Sequence, residues 1–386
     1  MKLLITGDLV VNQAYNSFEK IDHSLIDLFA QSNINIVNLE APVTESTNKI
    51  RKTGSNIKSH REGTINVLKV LRVNIATLAN NHVLDYDEQG VADTMKFCKE
   101  HGLETVGAGI ILQEASQTLF ISIKEGKIAI VNFAENEWAS ATGTSAGANL
   151  MNIIDNTAQI KDARSKADYV IVIIHGGHEY YNLPSPRMQK QYRFYAEQGA
   201  DIVVGHHTHC INGHETWNRV PIYYSLGNFL FTHDSSQPDW YKGLILEIEL
   251  SKENIKTKLH PISQAQGDFK LSLLQGKEKQ EIENRVKNYS SIIGDIKLVK
   301  MEWEKYVATM SKSYINLWSP LSFVGNRYLS AIIRRLPVKL INKKGLALYL
   351  NIMRCEAHRD LSMCVLNKKL KIKKQTIINQ SGRVFN

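Results

Sequence analysis

The stretch GADIVVGHHTH, residues 199–209, decides how the chain is read. Ile202–Val204 is a short apolar run of the kind that forms a buried strand, and His206, His207 and His209 follow at once. The pattern repeats upstream. Tyr169–Ile174 runs into His175, and Ile75–Ala79 runs into Asn80, Asn81 and His82. Ile34–Leu39 carries Asn38 and runs into Glu40, and Leu3–Thr6 precedes Asp8. Between these runs, residues 17–31, 62–72, 87–101, 152–167 and 187–199 have helical periodicity. Strands alternating with helices predict βαβ units, an α/β class and parallel strands. In such sheets, loops beyond the carboxyl ends of the strands converge on one crevice.

Downstream, Ile222–Ser225, Leu244–Leu250 and Lys256–Ile262 read as strands without intervening helices, which predicts mixed sheets. Thr118–Ile123 and Lys127–Phe133 flank Glu125-Gly126 as a hairpin. Gly107-Ala108-Gly109 reads as a turn, and the small polar run 139–149 as a flexible loop. Past residue 265 the pattern turns helical and basic, over 276–315 and 323–378, with breaks expected at Pro320 and Pro337. The expected division is thus 1–265 and 266–386.

Composition narrows the class. With 43% hydrophobic and 22% charged residues the chain is neither fibrous nor disordered. Its apolar runs reach about six residues, where a membrane span needs about 20. The N-terminal MKLLITGD is too short in apolar residues for a signal segment, so a cytoplasmic location is expected. Four scattered cysteines read as reduced thiols. The net charge of +9 is uneven: residues 331–386 hold 13 Lys and Arg against 2 Asp and Glu, while the rest is slightly acidic. That basic tail is read as a solvated helical cap, or as a contact for an anionic polymer or the inner face of an anionic membrane. Nucleic acid is not expected, because no binding motif accompanies the charge.

Five segments aiming carboxylates, amides and imidazoles at one crevice point to metal binding. Six of the thirteen histidines fall within 175–214, where even spacing would place little more than one. The set is N and O without thiolate, which suits Mn, Fe, Zn or Mg in place of a structural zinc site. A carboxylate such as Glu40 is able to bridge two divalent ions, and such a pair activates water and stabilises a leaving oxygen. The chemistry read from these residues is hydrolysis of a phosphate ester. Arg51, Lys52, Lys58 and Arg61 lie between two motifs and are candidates for recognising an anionic substrate.

The segments GD (7–8), NLEAPVT (38–44), LANNHVLDYDEQG (78–90), HGGHEY (175–180), GADIVVGHHTH (199–209) and YSLGNFLF (224–231) resemble the capsule-synthesis or poly-γ-glutamate-synthesis (CapA-type) family, itself similar to the calcineurin-like metallophosphoesterases. The resemblance covers residues 1–265. It implies a four-layer αββα sandwich with two metal ions at the sheet edge. Carried over, Asp8, Glu40 and His209 hold one ion, and Glu40, Asn81, His175 and His207 hold the other. His82 is the general acid, a task suited to an imidazole whose ordinary pKa is about 6.5. Glu179 and Tyr180 form the wall, and Asn38 and Asn228 support the ligands or touch substrate. Three departures stand out. Phosphoesterases open with Asp-x-His, whereas this chain has Asp8-Leu9-Val10. Glu40 stands where they carry aspartate. Gly176 replaces the tryptophan of an HWGxE pattern, which is expected to open the pocket. The resemblance therefore implies either a metal-dependent hydrolase serving a surface polymer, or a non-catalytic accessory protein that binds metal and an acidic polymer.

Overall fold

The computed structural model describes residues 1–251, 254–318, 328–329, 332, 343–355, 357–359, 361–363 and 365–366. Two sheets form its centre. In the eight-stranded sheet, β1 (Lys2–Val10), β2 (Ile34–Leu39), β3 (Ile75–Thr77) and β4 (Glu104–Val106) run parallel. In the six-stranded sheet, β6 (Leu119–Ile123) and β7 (Gly126–Ala134) form the expected hairpin, and β7, β9 (Tyr169–His175), β10 (Ile202–His206) and β12 (Val220–Tyr223) run parallel. β11 (His214–Trp217) closes its other edge antiparallel to β12. β13 (Asn228–Phe231) lies parallel to the end of β1, and β14 (Lys242–Leu250), β15 (Ile255–Gln264) and β16 (Leu271–Leu273) extend the first sheet antiparallel.

Strand alternation decides what each face buries. Leu3, Ile5, Ile34 and Ile36 meet Ile128, Ile130, Ile171, Ile173, Ile202 and Val204 between the sheets. Leu4, Val37 and Ala76, which alternate with them, pack instead under α2 (His23–Ala30), α3 (Arg61–Val70) and α4 (Asp87–Glu100), against Leu25, Phe29, Val67, Leu68 and Phe97. α6 (Ile153–Lys166) and α7 (Pro186–Glu197) cover the second sheet, with the Tyr195 ring 5.1 Å from Phe133. The layers are helix, sheet, sheet and helix, the four-layer αββα sandwich.

Several expectations are corrected. Residues 17–31 form two helices, α1 (Ser17–Lys20) and α2, because Ile21 bridges to Leu271 and Asp22 caps the second by accepting from the Ser24 N–H. The segment at Gly107 is no simple turn: β5 (Ala108–Gly109) pairs with β8 (Gly147–Ala148), with α5 (Leu112–Ala115) just beyond. Within 139–149, Ala139, Ala141, Ala146 and Ala148 are accordingly buried, while 142–144 form an exposed tip. The first compact unit extends past 265 to Trp303. It does so because β16 pairs with β15, and α8 (Gly276–Ile293) buries Ile282, Val286 and Ile293.

The second unit, Glu304–Asn386, holds most of α9 (Ile296–Trp318) and all of α10 (Lys343–Arg354), where Leu348, Leu350 and Met353 are exposed. Pro320, Pro337 and most of the basic tail lie outside the described residues. Among the described residues no helix is long and apolar enough to cross a membrane.

The boundary is testable by truncation. A chain ending at 303 keeps β16 and α8 and is expected to unfold cooperatively in urea. One ending at 270 loses at least five buried apolar side chains, each contributing roughly 1.5–3 kcal/mol, and is expected to be insoluble or to lose its cooperative transition.

Candidate metal centre

The carboxyl ends of β1, β2 and β3 in one sheet and of β9 and β10 in the other meet at one edge of the sandwich. Asp8 lies at a register shift in β1. A Cβ on Gly7 would lie 1.9 Å from the Gly227 carbonyl, so only glycine there lets β13 approach and the Asp8 N–H donate to Gly227 O at 3.1 Å. His175 ends β9, in register with His206 at the end of β10. Beyond β10 the chain turns sharply, with His207 at φ +89° and His209 at φ +52°. Such left-handed backbone costs a non-glycine residue about 1–3 kcal/mol, and it is retained where a site requires it.

The result is two sets of buried side chains whose ligand atoms lie within 4.8 Å of one another, Asp8–Glu40–His209 and Glu40–His175–His207. Glu40 belongs to both. His175 Nε2 is 3.5 Å and His209 Nε2 is 3.7 Å from Glu40 Oε1. Asn81 joins the second set, its Oδ1 3.0 Å from His175 Nε2, and His207 Nδ1 is 3.1 Å from the same nitrogen.

The surrounding amides hold these groups in place. Asn38 Nδ2 donates to Asp8 Oδ1 at 2.6 Å and lies 3.1 Å from His175 Nδ1, while its Oδ1 accepts from Thr77 Oγ1. Asn228 Nδ2 donates to Trp240 O, which leaves its Oδ1 to face His209 Nδ1 at 2.9 Å. An Nδ1–H donated there leaves the His209 Nε2 lone pair directed toward Glu40. Asn80 accepts from the His82 N–H and donates to Leu39 O, tying the His82 turn to the end of β2. His82 Nδ1 lies 2.6 Å from Asp85 Oδ2 and 3.1 Å from Lys52 Nζ.

The electrostatics fit a cation. Neither oxygen of the fully buried Glu40 has a hydrogen-bond partner among the described residues. Burying an unpaired carboxylate is costly enough that the group ordinarily protonates or takes a counter-charge. Burial, with the charges of Asp8 and Glu179 beside it, pushes Glu40 well above the usual carboxylate range, and burial raises Asp8 to about 7. The imidazoles move the other way. Burial lowers His207 to about 4 and His209 to about 3, and burial with the neighbouring histidines lowers His175 well below its ordinary value. Neutral imidazoles, the amide-held Asp8 and the unpartnered Glu40 make an N/O donor set suited to divalent ions.

Other candidates sit elsewhere. Arg61 pairs with Glu100 at 2.6 Å and covers the Phe97 ring, on the outer helices. Lys58 donates to Ser46 O and lies over Tyr86. Neither makes a contact with the ligand groups. Glu179 and Tyr180 are on the exposed rim, with the Tyr180 ring 6.2 Å from His209. His178 packs on Tyr181 and Trp303. His206 is buried 3.5 Å from Asp8 Oδ1, in neither ligand set.

Gly176 does not open the pocket. A Cβ there would lie 2.6 Å from Glu135 Cγ, so Glu135 fills the space, accepting from the Gly177 N–H and pairing with Arg187. Val10, where phosphoesterases carry histidine, joins Ala41, Phe231 and Trp240 in a small apolar cluster beside the first set. Sequence reading passed over Glu137, whose Oε1 is 3.7 Å from His207 Nε2, because it stands outside every motif.

Fold and site together define a four-layer αββα sandwich with two neighbouring groups of buried side chains that could hold a metal ion. The family model described as bacterial capsule synthesis protein PGA_cap matches residues 2–233, and the chain belongs to that family. It is 35% identical over 202 residues to the capsule biosynthesis protein CapA of Bacillus anthracis, covering 50% of this chain and 49% of that one. It is 34% identical over 211 residues to the PGA biosynthesis protein CapA of Bacillus subtilis strain 168, covering 53% and 54%. The match thus spans about half the length of these curated relatives. A solved structure described as a novel phosphatase from Mycoplasma pneumoniae is similar at 15% identity and TM-score 0.46, covering 69% of this chain and 95% of that one.

Two outcomes follow for metal binding. His207→Ala is expected to lose most of the Mn, Fe or Zn that the native chain retains, read by elemental analysis. An unchanged metal content would contradict the assignment. Because His207 and His209 are already neutral above about pH 4 and Asp8 titrates near 7, binding displaces protons from carboxylates. Calorimetric affinity for Mn²⁺ is therefore expected to rise from pH 6 to pH 8, with proton release at pH 6. A pH-independent affinity would exclude this.

Proposed function

We propose that the chain is a divalent-cation-dependent hydrolase of phosphate esters, working in the biosynthesis or turnover of a capsule or other surface polymer. The observation that carries the reading is Glu40, buried with both oxygens unpartnered and shared by two ligand sets. Asp8, Glu40 and His209 would hold one ion, and Glu40, Asn81, His175 and His207 the other. Such a pair supplies positive charge to the phosphoryl oxygens and makes water more acidic.

The remaining work falls to the chain's own groups. His82 is half-buried at the site, and its Nδ1 faces Asp85, a buried carboxylate that only accepts. The Nδ1–H is therefore donated to Asp85, and Nε2 is the ring atom left to carry a proton to the leaving oxygen. Asn38 and Asn228 keep Asp8, His175 and His209 in place. The basic segment 331–386 would meet an anionic polymer or the inner membrane surface, keeping the enzyme beside its polymer at a cytoplasmic location.

A second reading is supported by Val10. With no histidine there, the first set has three side chains, Asp8, Glu40 and His209. That favours an accessory protein which binds metal and an acidic polymer without turnover.

His82→Ala separates the two. It is expected to keep its metal and to lose about 10²–10⁴-fold in kcat on phenyl phosphate, with a smaller loss on 4-nitrophenyl phosphate, whose leaving group needs little protonation. Equal losses on both esters would contradict the acid role. A metal-loaded native chain inactive on all phosphoesters would favour the accessory reading.

A further inference from the structure

We propose that Lys52 is a positioning residue for the hydrolysis, holding His82 in its working orientation through Asp85 while touching neither substrate nor the ligand sets. The proposal rests on the hydrolase reading above. Lys52 stands on the irregular segment between β2 and α3, thirty residues before His82, yet its side chain is only 4% exposed. Its ammonium pairs with Asp85 Oδ1, an oxygen with no other partner among the described residues. The other oxygen, Oδ2, faces His82 Nδ1 at 2.6 Å and accepts from the Ile57 N–H at 2.7 Å.

The segment around Lys52 is wrapped on the same aspartate. The Asp85 carbonyl accepts from the Ile50 N–H at 3.1 Å and from Asn56 Nδ2 at 3.0 Å. From the second sheet's side, Trp138 Nε1 donates to Thr53 Oγ1 at 2.9 Å. Residues 50–57 thus form a strap tied to the His82 turn on one side and to the loop after β7 on the other.

Asp85 is fully buried, and a buried carboxylate stripped of its partner carries an effective penalty of several kcal/mol. Without the ammonium, Asp85 is driven from its place. His82 then loses the acceptor that fixes its ring, and the strap loses its central tie. A ring misplaced by about 1 Å is enough to cost about 10²-fold in rate. Lys52 acts first on the proton donor, whose Nδ1 lies 3.1 Å from its Nζ, and its charge is the smallest of the influences on Glu40, so its removal should leave substrate affinity and metal content as they were.

The test uses the full chain loaded with Mn²⁺. Lys52→Met is expected to lower kcat on phenyl phosphate by about tenfold to hundredfold, with KM and metal content unchanged, and to lower it less on 4-nitrophenyl phosphate. Lys52→Arg, which keeps the charge, should recover part of the loss. The double variant with His82→Ala should be no slower than His82→Ala alone, because both changes remove one function. Equal losses on both esters, a raised KM at constant kcat, or additive losses in the double variant would overturn the proposal.

Hydrogen exchange of the amides in 50–57 gives a reading that needs no turnover. Faster exchange in Lys52→Met supports the strap, and native protection refutes it. If the native chain hydrolyses neither ester, the phosphoesterase reading fails separately and exchange alone decides the tie. Should Lys52→Met not fold, Lys52→Gln is read in the same way.

Discussion

Glu40 is the constraint on which the site depends. It follows β2, where its backbone N–H donates to Leu9 O, and among the described residues its side chain meets no hydrogen-bond partner. What surrounds the carboxylate instead is a ring of imidazoles and amides already held by their own partners: His209 on Asn228, and His175 beside Asn38 and Asn81. Each is stable as a neutral group, and together they answer the buried charge only when a cation is supplied. The left-handed turns at His207 and His209 have the same origin. They aim two imidazoles from one short loop at one carboxylate.

Two sheets are needed for this arrangement. The parallel strands of one sheet bring Asp8, Glu40 and Asn81 to an edge, and those of the second bring His175, His207 and His209. Only their face-to-face packing, through Ile5 and Ile36 against Ile171, Ile173 and Val204, sets the two edges within ligand distance. The close approach of Gly7 to Gly227 adds β13 and carries Asn228 to His209. The core and the site are thus one construction, and a shift between the sheets would separate ligands before it exposed much apolar surface.

Much of this was legible in the sequence. Strands such as Tyr169–His175 are buried on both faces and read as unbroken apolar runs, so their ends, where the ligands stand, are sharply marked. The contacts that escaped reading are those between loops distant in sequence. Nothing near Lys52 announces that it will pair with Asp85, and it reads the same as Lys58 and Arg61, which the structure spends on a carbonyl and on Glu100. Glu135 fills the space at Gly176 from another strand end, which no local pattern reveals. The boundary at 265 came out too early because β16 is three residues long and α8 has the composition of a surface helix, while both complete the sandwich.

The central claim is that one buried carboxylate serves two cations. Crystals of the full chain grown with Mn²⁺, with diffraction recorded at the manganese absorption edge, test it without any assumption about substrate. The account predicts two anomalous peaks about 3.5–4 Å apart, both against the Glu40 carboxylate, one beside Asp8 and His209 and the other beside His175 and His207. No peak at this edge of the sandwich, or a single ion that leaves Glu40 untouched, would contradict it.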